Sequence, residues 1–143
     1  MTDIHVLSAL QPGHDADGLP RTEAAVPAGF PSPAQDYFDG RIDLNKHLIR
    51  DVTSTFLVRV SGDSMTLAGI SDGDELVVDR SLAPTDGNVV VAILDGELTV
   101  KRLRMGPAGV RLMAENPDYP DIVIPEIADL SIWGTVTRCL HRV

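Results

Sequence analysis

The sequence has a single cysteine, Cys139, so no intramolecular disulfide can staple it. Aromatic residues make up 4% of the chain against 43% hydrophobic residues, so its core must be aliphatic, built of Val, Ile and Leu. Positive charge is scarce: 12 Lys and Arg face 21 Asp and Glu, a formal net charge of −9. A chain of that sign is repelled by phosphate backbones, which argues against direct nucleic-acid binding. No apolar run approaches the roughly 18 residues of a membrane span, and the basic-then-apolar pattern of a signal peptide is missing from the N-terminus. These absences point to a soluble protein of a reducing, cytoplasmic compartment, away from membranes. His5, His14, His47 and His141 form no cluster, so no metal or cofactor is expected; His47 reads as a surface residue.

What is there divides the 143 residues into an arm and one domain. Residues 1–40 hold Pro12, Pro20, Pro27, Pro31 and Pro33 together with Gly13, Gly18, Gly29 and Gly40, and no periodic pattern survives more than a few residues. Little regular structure is expected before Gly29. Residues 41–143 form the folded unit. Asp43 caps a short helix carrying Leu44, Leu48 and Ile49. From Phe56 onward the composition turns to Val and Ile. Strands are expected over 56–60, 75–79, 89–94, 97–101, 110–113, 122–124 and 132–136. The fold class is mainly β, a compact β-rich domain with a largely unstructured N-terminal arm. Asp95-Gly96 between two apolar runs predicts a two-residue hairpin, with Leu94 opposite Glu97 and Val90 opposite Lys101. Glu97, Thr99 and Lys101 then share one strand face.

Chemistry concentrates at two points. Ser64 lies in Val60-Ser61-Gly62-Asp63-Ser64-Met65, where an apolar strand stops and a short helix could start. Lys101 lies 37 residues later in Leu98-Thr99-Val100-Lys101-Arg102-Leu103. A serine hydroxyl is a poor nucleophile until a base takes its proton. Free lysine titrates near 10.4 and is a cation at neutral pH. Burial among Leu98, Val100 and Leu103 would disfavour the charge and make the amine a base. The plainer alternative is an exposed strand-edge lysine paired with Glu97, and spacing alone favours it.

Ser-Gly-Asp-Ser-Met at 61–65, Gly-Ile-Ser-Asp-Gly-Asp at 69–74 and Glu-Leu-Thr-Val-Lys at 97–101 together resemble the self-cleaving peptidase domain of LexA-type repressors and UmuD-type mutagenesis proteins. Ala28-Gly29-Phe30-Pro31-Ser32-Pro33-Ala34 and Arg41-Ile42-Asp43-Leu44-Asn45 bring the UmuD type closer. The resemblance covers about residue 28 to the C-terminus. It implies a LexA/UmuD-type fold and a serine peptidase with a Ser64–Lys101 dyad. The backbone amides of Asp63 and Ser64 would hold the oxyanion, and Gly62 would permit the tight turn. The turn at Asp72-Gly73-Asp74 reads as support for the site, without catalysis.

By the same resemblance the scissile bond joins Ala28 to Gly29. Small residues there let an extended chain enter a narrow cleft, and a bound strand would lie along a sheet edge; a mere flexible joint is the other reading. A helix-turn-helix does not fit in the 28 residues before that bond, which sets the repressor reading aside. What remains is an accessory subunit of an error-prone translesion polymerase. It would be a homodimer whose self-cleavage is stimulated by a RecA–single-stranded-DNA filament, and its partner would be a UmuC-type polymerase subunit. A non-cleaving binding module of the same fold and a signal-peptidase-like enzyme are the alternatives.

Overall fold

The hairpin at Asp95-Gly96 sets the centre of the molecule. In the computed structural model Asp95 has φ 50° and Gly96 φ 79°, so both loop residues are left-handed, as a type I′ turn requires. That turn places Leu94 opposite Glu97 and Val90 opposite Lys101, the register its sequence predicts. The structure describes residues 3–9, 18–22, 25–30, 38–125 and 130–143.

Ten strands and one short helix are described. They are β1 (Asp3–Ala9), β2 (Leu19–Thr22), β3 (Phe38–Ile42), α1 (Leu44–Leu48), β4 (Thr55–Ser61), β5 (Glu75–Asp79), β6 (Val89–Leu94), β7 (Glu97–Gly106), β8 (Gly109–Met113), β9 (Ile122–Ile124) and β10 (Ser131–Leu140). Eight of them form one sheet in the order β1-β4-β5-β10-β6-β7-β8-β9, and β2 pairs with β3 apart from it. The expected β-rich class is the observed one. Asp43 caps α1 by accepting from the Asn45 amide at 2.9 Å.

The expectation of little regular structure before Gly29 needs an amendment. β1 pairs antiparallel with β4, and β2 pairs with β3. Asp3-Ile4-His5-Val6-Leu7-Ser8-Ala9 contains neither Pro nor Gly, so it can add to a sheet edge although no pattern in it demands a strand. Of the arm's landmarks, Pro12, Gly13, His14 and residues 31–34 lie outside the described residues.

The sheet curls around two apolar clusters. Val58, Val60, Met65, Leu76, Val78, Val91 and Val100 form one. Val90, Ala92, Leu103, Val110, Leu112 and Ile124 form the other. Burying each of the Val, Leu, Ile and Met side chains among them contributes about 1.5–3 kcal/mol. Alternation along β7 sends Val100 to the first cluster and Leu103 to the second, so this strand is covered on both faces. Two of the six aromatics meet in a tilted pair: Trp133 lies 5.3 Å from Phe56, ring centre to ring centre, and carries the Arg80 guanidinium at 4.7 Å over its ring. Gly134 follows at a register shift in β10, where a Cβ would stand 2.5 Å from Val78 Cγ1.

Candidate active site

Ser64 is held by its loop rather than by a helix. β4 stops at Ser61, and Gly62 takes φ 93°, a backbone that L side chains rarely adopt. The Gly62 amide donates to Asp72 Oδ1 at 2.7 Å. Two residues back, the Val60 amide donates to the Asp74 carbonyl and the Val60 carbonyl accepts from the Gly73 amide, both at 2.8 Å. Asp72-Gly73-Asp74 is therefore the brace of the serine loop, the supporting role expected of it. The short helix expected to start at Ser64 is a 3-10 turn over Thr66–Ala68, which ends at Gly69 with φ 78°.

A second brace was not legible in the sequence. Asn116 Nδ2 donates to the Asp63 carbonyl at 2.8 Å, and the Tyr119 hydroxyl donates to Asp63 Oδ1 at 2.5 Å. The Leu67 amide donates to the Glu115 carbonyl at 2.8 Å, and Glu115 in turn pairs with Arg102 next to Lys101. The bond to Asp63 raises the Tyr119 pKa. Asn116-Pro117-Asp118-Tyr119-Pro120 reads locally as a loop, and nothing local joins it to a segment 53 residues away.

Lys101 extends from β7 to the serine. Its Nζ donates to Ser64 Oγ at 3.3 Å and to the Val100 carbonyl at 3.2 Å. Lys101 is 3% exposed and Ser64 0%. The alternative of an exposed lysine paired with Glu97 is excluded, because Glu97 stays in solvent at the hairpin end. Burial pushes the Lys101 pKa below its ordinary value, since an ammonium loses hydration that nothing apolar replaces. The desolvating side chains differ from those expected: Leu103 shares the lysine's strand face, while Val100 packs on the opposite one. Thr99, also on the lysine's face, buries a hydroxyl with no hydrogen-bond partner.

The far side of the brace carries a second polar cluster. Buried Asp74 accepts from the Ser71 amide at 2.8 Å and the Cys139 thiol at 3.3 Å, and its Oδ1 meets His141 Nδ1 at 2.7 Å. Burial raises the Asp74 pKa, but these bonds outweigh it and leave the carboxyl below its ordinary range. Burial and the Asp74 contact push the Cys139 thiol up to about 12, so it is not a reactive thiolate. Cys139 is half-buried, packed against the first apolar cluster and bonded to Asp74. Among the described residues no group of three or more His, Cys, Asp or Glu has metal-binding geometry. No described helix is long and apolar enough to cross a membrane.

The remaining two site residues are elsewhere. Ala28 and Gly29 stand exposed in a bend, flanked by Val26 at 84% and Phe30 at 93% exposure. A Cβ on Gly29 would meet nothing within 4 Å. The structure thus brings Ser64 and Lys101 together and leaves the Ala28-Gly29 bond in solvent.

Residues 21–137 match the family described as Peptidase S24-like. The chain belongs to the Peptidase S24-like family. Protein SamA of Salmonella typhimurium strain LT2 is 47% identical over 116 residues, 81% of this chain and 80% of that protein. Protein ImpA of Escherichia coli is 39% identical over 143 residues, 99% of this chain and 97% of its own. A LexA repressor of Dechloromonas aromatica is 45% identical over 118 residues, 82% of this chain and 58% of the repressor. The LexA/UmuD resemblance of the motifs is therefore a family relationship. The ImpA match also extends through residues 1–27, for which the sequence motifs offered no resemblance.

Proposed function

We propose that this Peptidase S24-like chain cleaves itself between Ala28 and Gly29 with Ser64 as nucleophile and Lys101 as general base. The observation that carries the reading is the buried 3.3 Å contact between Lys101 Nζ and Ser64 Oγ. Docking brings the Ala28 carbonyl to Ser64. The neutral amine takes the Ser64 proton as Oγ attacks the carbonyl carbon. The amides of Asp63 and Ser64 hold the resulting oxyanion, in a loop whose shape Gly62 permits. The tetrahedral intermediate collapses, the bond to the Gly29 nitrogen breaks, and the Lys101 ammonium protonates that leaving amine. Lys101 then deprotonates a water, which hydrolyses the Ser64 ester and releases residues 1–28 with a free carboxylate.

Residues 1–40 act in this reading as a regulatory arm and residues 41–143 as the peptidase domain. The similarity to SamA, ImpA and a LexA repressor supports reading the chain as a UmuD-type protein of the DNA-damage response. A RecA–single-stranded-DNA filament would stimulate docking. The product, residues 29–143, would serve as a dimeric, cytoplasmic accessory subunit of a UmuC-type error-prone polymerase, without binding DNA itself. The test is mass analysis after incubation with an activated filament, or at alkaline pH without one. A new species starting at Gly29, absent from Ser64→Ala, is the expected result. No shortened product under either condition would overturn the reading.

A further inference from the structure

Ser64 is fully closed to solvent and Lys101 nearly so, while the segment to be cut stands exposed. Something other than that segment therefore covers the site. The backbone of β4, the strand that leads to Ser64, shows which segment lies along its free edge. Val60 directs both its amide and its carbonyl toward Gly73 and Asp74, on the β5 side. Backbone groups alternate in direction along a strand, so those of Leu57, Arg59 and Ser61 face the opposite edge. β1 takes that edge, antiparallel, with Asp3 opposite Ser61, His5 opposite Arg59 and Ser8 opposite Leu57. β1 also approaches β7, the strand that bears Lys101. The other outer edge of the sheet, β9, is separated from β4 by five strands.

A substrate strand needs an unpaired edge to dock by backbone hydrogen bonds. The edge ending beside Ser64 is occupied by this chain's own residues 3–9. We infer that β1 is a built-in competitor: it holds the β4 edge that the segment around Ala28 and Gly29 requires, and cleavage starts only after β1 has left. The two segments are unequal rivals by composition. β1 has Ile4 and Val6 and no strand breaker, whereas the scissile segment carries Pro27 and Gly29. β1 in turn is a short outer strand with a register shift between Val6 and Ser8, so it can open without unfolding the sheet. A site available only in the open fraction binds its ligand more weakly in proportion to that fraction. The catalytic consequence rests on the peptidase reading above; the competition itself is a statement about binding.

His5→Pro tests it, because it deletes the His5 amide that faces Arg59. In full-length Ser64→Ala protein, a labelled peptide with the sequence of residues 24–34 should bind roughly tenfold tighter once His5→Pro is added. The Leu57, Arg59 and Ser61 amides should lose protection from hydrogen exchange in the same variant. Asp3→Pro, at the facing position beside Ser61, should act in the same direction. With Ser64 intact, His5→Pro should cut itself roughly tenfold faster without a filament. Unchanged peptide affinity in both proline variants would overturn the competition. Tighter peptide binding without self-cleavage in any chain would uphold the competition and refute the peptidase reading.

Discussion

Two regions of this chain stand at opposite ends of structural definition. The Ser64 loop is fixed by Asp72, Gly73 and Asp74 on one side and by Glu115, Asn116 and Tyr119 on the other. The segment around Ala28 and Gly29 touches little, and its large side chains Val26 and Phe30 lie in solvent. The difference separates two energetic tasks. The proposed catalytic groups are pre-organised at folding, so little remains to be arranged when the bond is cut. The proposed substrate segment is left out, so in that reading the step open to control is docking. A self-cleaving chain needs that division, because a substrate held permanently in a finished site would be consumed at once.

Removing the finished half should have the largest effect. Ser64→Ala and Lys101→Ala should each slow cleavage by about 10³-fold or more at neutral pH, measured by mass analysis of the 1–28 fragment. Lys101→Arg should be no better, since a guanidinium does not give up its proton. Full cleavage by Lys101→Ala would show that the buried contact is not the catalytic one.

The pH dependence comes next. Burial lowers the Lys101 pKa, so the fraction of neutral amine, and with it unassisted cleavage, should rise about tenfold per pH unit up to that pKa and then level off. A flat rate profile would mean that docking alone limits the reaction. The same burial has a cost in stability. Between the lowered folded pKa and the unfolded value near 10.4, the unfolded chain binds more protons, so stability rises with pH through that window. Below it the penalty of the buried ammonium is fully present. Lys101→Met should therefore raise the unfolding free energy at pH 7 by about 1 kcal/mol or more, measured by denaturant melts. A loss of stability would mean that the two lysine hydrogen bonds outweigh its desolvation.

Stability sharpens the contrast further. Gly134→Ala should destabilise by about 1–3 kcal/mol, because its Cβ drives into Val78 in the packed sheet. Asp72→Ala should cost about 1 kcal/mol and slow cleavage, because the Gly62 amide loses its partner and the serine loop its brace. The smallest effect belongs to the exposed half. Val26→Ser and Phe30→Ser should leave stability within about 0.5 kcal/mol in urea melts. A clear destabilisation there would show that the segment packs on the domain in solution.

The legible features were those written into neighbouring residues. Asp95-Gly96 demanded positive φ and so set the register that places Val90 opposite Lys101. Asp43 announced the start of α1, and the Val- and Ile-rich runs announced the strands. The order of motifs around Ser64 and Lys101 declared the family. Folding decided what depends on distant partners. Lysine burial needs the cluster on its own face of β7, around Val90 and Leu103, and no window of sequence reports what covers a strand. Asn116 and Tyr119 reach Asp63 across 53 and 56 residues, and His141 reaches Asp74 across 67. The place of β1 on the β4 edge was hidden for the same reason: strand addition uses backbone groups that every residue carries, so its choice of partner lies in which edge is open when the rest has folded.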